Sequence, residues 1–195
     1  MNATGLWIAA IALSITSVGL LVSRSWRWSL SLLALQYFSA FWLVLAHWPL
    51  SMSATVLVGG WMAAAALGMT HINIKDDPAV ETSWPQGSLF RILATGLVLM
   101  VVSVAASSLA AWLPTNTLLA LAWGALVLVS LGLLHLGMTL QPLRVIIGLL
   151  TTLLGFEIIY SIIENSVLVA GLLVVITLGL ALTGCYLLVL GEQPA

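Results

Sequence analysis

The chain has 195 residues, of which 62% are hydrophobic and 6% charged, with a net charge of −1 and a mean hydropathy of +1.20. Soluble domains carry roughly 25% charged residues, so this composition cannot cover a water-facing surface and marks an integral membrane protein. There is no basic patch suited to nucleic acid, and one cysteine, Cys185, supports neither a disulfide framework nor a thiolate metal cluster.

Apolar stretches run unbroken for about 18 to 24 residues, the length of a spanning helix. Barrel strands would instead alternate in segments of about 10. Backbone groups in lipid must find partners within their own segment, so each run is expected to be a helix. In chain order the predicted helices lie at 5–23, 28–47, 53–70, 89–112, 117–139, 143–163 and 167–190. The first lacks a basic n-region and is too long for the apolar core of a leader, so it reads as a retained first helix. Trp7, Trp26, Trp28, Trp48 and Trp112 fall near predicted helix ends, where an indole suits the headgroup layer. Trp42 and Trp61 lie deeper, at positions suited to helix contacts.

The basic residues set the orientation. Arg24 and Arg27 fall between helices one and two, Lys75 and Arg91 flank the connection between three and four, and Arg144 follows helix five. With seven spans all of these share one face, which places the N-terminus outside and the C-terminus in the cytoplasm. The longest connection, 71–88, holds Lys75, Asp76, Asp77, Pro78, Glu81, Pro85 and Gly87. Its polar, breaker-rich composition suits a cytoplasmic linker, with a partner-docking loop as the alternative.

Three helices, one more, then three again form two triplets of the same orientation. Val18-Gly19-Leu20-Leu21 is echoed by Leu131-Gly132-Leu133-Leu134, and each is followed by an arginine, Arg27 or Arg144, that opens the next helix. Parallel repeats of this kind occur in membrane transport folds. The expected architecture is therefore all-α, with seven transmembrane helices in two parallel three-helix units joined by an extra helix. The units are 1–70, a loop and connecting helix at 71–116, and 117–195.

Within the helices few side chains carry chemistry. Glu157 lies thirteen positions past Arg144, about 20 Å along a helix and somewhat beyond the bilayer midplane. An ionised carboxylate at that depth costs several kcal/mol, so such groups face protein and mark function; a hydrogen-bonded glutamate that joins helices is the structural alternative. Gln36 sits about 14 Å up helix two, near the middle. Glu164, seven positions after Glu157, reaches the outer interface and suits a solvated role. His135 lies near the cytoplasmic end of helix five, too low to pair with Glu157 without water. The three histidines have no metal-ligand spacing, and neither a nucleophile elbow nor a phosphate-binding glycine loop is present. Gly59-Gly60, and Gly179 with Gly184, suit close helix contact. No cofactor is expected, and catalysis by this chain alone is not.

Gly155-Phe156-Glu157-Ile158-Ile159, about a dozen residues past a cytoplasmic arginine, resembles the second helix of the K-type small membrane subunit of respiratory complex I. Leu178-Gly179-Leu180-Ala181-Leu182 resembles its third helix. The resemblance, over residues of about 125–190, extends to the seven-helix E-type subunit of hydrogenase-4 and the C subunit of multisubunit Na⁺/H⁺ antiporters. It implies a non-catalytic subunit of a proton- or sodium-translocating assembly in the cytoplasmic membrane, packed in the bilayer beside antiporter-like subunits. Glu157 would be the relay carboxylate, with Gln36, Tyr160, His135 and Glu164 as polar neighbours. Val175 stands where the K-type family has its second acid, and Thr152 and Leu153 where the E-type family has a glutamate and an asparagine. Further acids on a proton path would then come from partner chains, or water would bridge the gap. A stand-alone transporter and a purely structural anchor subunit are the alternatives.

Overall fold

Unbroken apolar sequence leaves each backbone segment only itself to hydrogen-bond with, and all of the predicted runs form helices. The computed structural model describes residues 3–23, 25–72, 88–112 and 119–190. Its helices are α1 (Ala3–Val22), α2 (Trp26–Val44), α3 (Leu50–Ile72), α4 (Ser88–Trp112), α5 (Leu119–Gly137), α6 (Pro142–Ile163) and α7 (Val167–Leu190). Arg24, Lys75 and most of the long connection lie outside the described residues. Among the described residues, six of these seven helices are long and apolar enough to cross a membrane; α2, which carries Arg27 and Gln36, is the exception.

The helix ends follow from local chemistry. α2 stops at Val44 rather than at the expected 47, because His47 and Trp48 both donate backbone N–H bonds to Val44 O in a turn ahead of Pro49. A residue before proline is biased away from helical geometry. α3 begins at Leu50, earlier than expected, and Pro49 O accepts the amides of Met52 and Ser53. Pro142 opens α6, where its missing N–H is no loss. Buried hydroxyls are satisfied inside the helices: Ser14 donates to Ala10 O (3.1 Å) and Ser17 to Leu13 O (2.7 Å).

Sequential helices pack as neighbours: α1 on α2, α2 on α3, α5 on α6, and α6 on α7. Across the bundle α1 meets α5, α2 meets α6 and α3 meets α7, while α4 stands outside against α5 and α1. The α5–α6 seam is the tightest. A Cβ at Gly155 would lie 2.8 Å from Val129 N and 2.9 Å from Ala125 O, and one at Gly132 would lie 2.8 Å from Thr152 N. Only glycine permits backbones this close.

Two ends are distinct. At one, the Trp26 ring stacks on His71 (4.8 Å), Arg27 lies over Trp26 (5.3 Å), and Arg91 donates to Leu21 O (3.3 Å). Arg91, His135 and Arg144 line a small cavity at this same end. At the other, the Trp48 indole donates to Glu164 O (2.9 Å), tying the α2–α3 turn to the end of α6. Trp48 also meets Tyr160 edge-on at 6.2 Å. These contacts make α2 and α6 run parallel.

Candidate functional site

Glu157 is 1% exposed, although α6 also shows Phe156 and Ile163 on its outer side. Its position on α6 turns the carboxyl inward, into a compartment bounded by α2, α6 and α7. Thr177 of α7 lies there with its hydroxyl 3.3 Å from Glu157 Oε1 and 3.0 Å from Leu173 O. One hydroxyl carries one proton. Thr177 can donate it to a carboxylate, or donate to Leu173 O and accept from a protonated Glu157. The same contact thus serves both protonation states.

The third member is Tyr37 of α2, which is fully buried. Its hydroxyl shares the compartment with Glu157 and Thr177, within electrostatic reach of the carboxyl. Tyr37 OH lies beside the Thr177 hydroxyl without meeting hydrogen-bond geometry, and Glu157 Oε2 is buried without a hydrogen-bond partner among the described residues. Buried polar atoms are nearly always paired, so two such atoms in one compartment form an incomplete polar site. Gly60 of α3 makes the room: its backbone lies so close to the Tyr37 ring that any Cβ would collide with it.

A second polar group lies beside the first. Gln36 donates from Nε2 to Ser17 Oγ of α1 (2.7 Å) and accepts at Oε1 from Thr151 of α6 (3.2 Å). All three side chains are buried, and this network joins α1, α2 and α6. Consecutive residues of α2, Gln36 and Tyr37, therefore point into two adjoining compartments.

Around Glu157 the neighbours differ from those the sequence predicts. Gln36 is engaged by Ser17 and Thr151 rather than by Glu157. Tyr160, one turn from Glu157, is drawn outward into rings with Trp48 (6.2 Å) and Phe156 (6.5 Å). Glu164 is exposed beyond the end of α6, and its backbone carbonyl rather than its carboxylate makes the contact to Trp48. His135 is buried at the arginine end, with Arg91 and Arg144. Val175 faces outward and is 64% exposed, while the inward polar position on α7 belongs to Thr177. Neither Tyr37 nor Thr177 stands out in the sequence as a site residue. A threonine in an otherwise apolar helix and a tyrosine beside a mid-helix glutamine were the available signals.

The fold and the buried polar groups define a multi-pass, all-helical membrane protein with a carboxyl site inside its bundle. The chain matches no known protein family, no curated protein and no solved structure.

Proposed function

We propose that this chain is a non-catalytic membrane-arm subunit of a complex I-like or membrane-hydrogenase-like assembly that moves protons or sodium, and that Glu157 is its relay carboxyl. The observation that carries the reading is the buried Glu157 carboxyl with Oε2 unpartnered among the described residues, in a compartment shared with the Thr177 and Tyr37 hydroxyls. A group that only joins helices would be expected to have its hydrogen bonds filled, as Gln36 has. A carboxyl that exchanges a proton needs a free oxygen and a partner tolerant of both its states, which Thr177 supplies.

In this reading α2 is the seventh span, and the helices form two parallel three-helix units joined by α4. The parallel course of α2 and α6, and the lateral contacts of α1 with α5 and α3 with α7, support the grouping. Arg27, Arg91 and Arg144 face the cytoplasm, the N-terminus lies outside, and the host is the cytoplasmic membrane. The largely apolar outer faces of α4 and α7 are where antiporter-like subunits and lipid would lie.

Glu157→Gln tests the relay. Glutamine keeps the shape and the Thr177 contact but cannot exchange a proton. In the native assembly the variant should assemble normally and lose most ion translocation. Unchanged translocation in a correctly assembled variant rejects the relay. Ion transport by the purified chain alone in liposomes rejects the subunit reading and favours a stand-alone transporter.

A further inference from the structure

The arginine end of the bundle carries an open groove between α2 and α3 that the carboxyl site does not use. Its volume is about 590 Å³. The floor is built mainly from small residues, Ala34 on α2 and Ala64, Ala65 and Gly68 on α3, with Ser31 beside them and the Leu30 side chain reaching over Gly68. Trp61 forms the wall at its inner end, and its indole is pinned by a 3.1 Å hydrogen bond to Ala34 O. At the mouth stand Trp26 and the exposed Arg27.

The groove runs along the helices from Arg27 to Ala34, about 10 Å inward from the bundle end. It is lined mostly by apolar side chains, with Ser31 among them, and is open to the side, with Arg27 the cation at its mouth. That distribution suits an amphiphile with an anionic head and an extended apolar tail. Trp26 holds Arg27 at the rim by a cation–π contact of 5.3 Å, where its guanidinium can take phosphate oxygens in bidentate fashion. A partner helix would find the same small-residue floor, but Arg27 at the mouth would give it a charge to neutralise, whereas an anionic lipid supplies the counter-charge.

We infer that the α2–α3 groove is a binding site for an anionic phospholipid, with one acyl chain along Ala34, Ala64, Ala65 and Gly68 and the phosphate on Arg27. The site is separate from the Glu157 compartment and does not depend on how that compartment functions.

The test uses the full chain, purified in detergent, exchanged with phosphatidylglycerol or phosphatidylcholine of identical acyl chains and read by native mass spectrometry. The wild type should retain phosphatidylglycerol in preference to phosphatidylcholine. Arg27→Gln should reduce that preference about fivefold, the equivalent of one interfacial cation–lipid contact, and Arg27→Lys should keep most of it. Ala65→Phe fills the groove from an exposed position without entering the core, and should reduce retention of both lipids. No preference in the wild type overturns the site, as does an unchanged preference in Arg27→Gln. Lipid retention unaffected by Ala65→Phe while a partner chain is lost from the native assembly would reassign the groove to a protein interface.

Discussion

Glu157 and Gln36 illustrate two uses of a buried polar side chain. Gln36 has a partner at each end, Ser17 and Thr151, and behaves as a rivet between helices. Gln36→Leu should cost about 1 kcal/mol of bundle stability, since side-chain hydrogen bonds in bilayers average about 0.6 kcal/mol each, while leaving ion movement intact in the folded fraction. A steric denaturation series in mixed micelles, paired with a transport assay, checks both parts. Tyr37→Phe should behave in the opposite way. Its hydroxyl makes only a loose contact with Thr177, so stability should change by no more than about 0.5 kcal/mol. Translocation should fall if the hydroxyl completes the Glu157 site, and a variant that unfolds instead would show the ring hydroxyl to be structural. The mid-helix carboxylate was legible as a residue of interest because so little else in α6 is polar. Its partners were not, because periodicity along one helix says nothing about which neighbouring helix turns a threonine or tyrosine toward it.

At the scale of helices, glycines divide according to what faces them. Gly155 abuts the α5 backbone, whereas Gly179 has nothing within 4 Å. Gly155→Ala should force α5 and α6 apart and destabilise by about 1–3 kcal/mol, the usual penalty for overpacking. Gly179→Ala should be neutral or stabilising by up to about 1 kcal/mol, from helix propensity alone. Equal melting shifts for the two variants would contradict the seam geometry. From sequence, Gly179 and Gly184 looked alike as contact glycines; only Gly184 is one, with Ile146 where a Cβ would point (2.7 Å). Both residues lie on a uniformly apolar helix, so hydropathy could not tell its lipid-facing side from its packed side. Helix existence was legible throughout, while the early end of α2 depended on the turn before Pro49.

For the whole molecule, the described arginines gather at one end and Glu164 stands at the other. This predicts opposite accessibility for cysteines introduced at Leu140 and Asn165, both exposed in loops flanking α6, in a Cys185→Ser background. In intact cells a membrane-impermeant thiol reagent should modify Asn165→Cys and spare Leu140→Cys. Modification of both from one side would break the seven-span arrangement, and the reverse pattern would invert its orientation.

Composition and hydropathy alone determined that this protein is a bundle of membrane helices, because a chain with so few charges has no soluble alternative and a backbone in lipid must bond to itself. They also singled out Glu157, since one acid in an apolar helix is conspicuous whatever surrounds it. The tertiary structure decided what surrounds it. By laying α2 alongside α6 and α7 against α3, it turned Tyr37 and Thr177 inward, gave Gln36 to a separate network and left Val175 outside. Helices uniformly apolar on every side carry no record in their sequence of which face meets protein, and only close packing at Gly60, Gly132 and Gly155 resolves that choice.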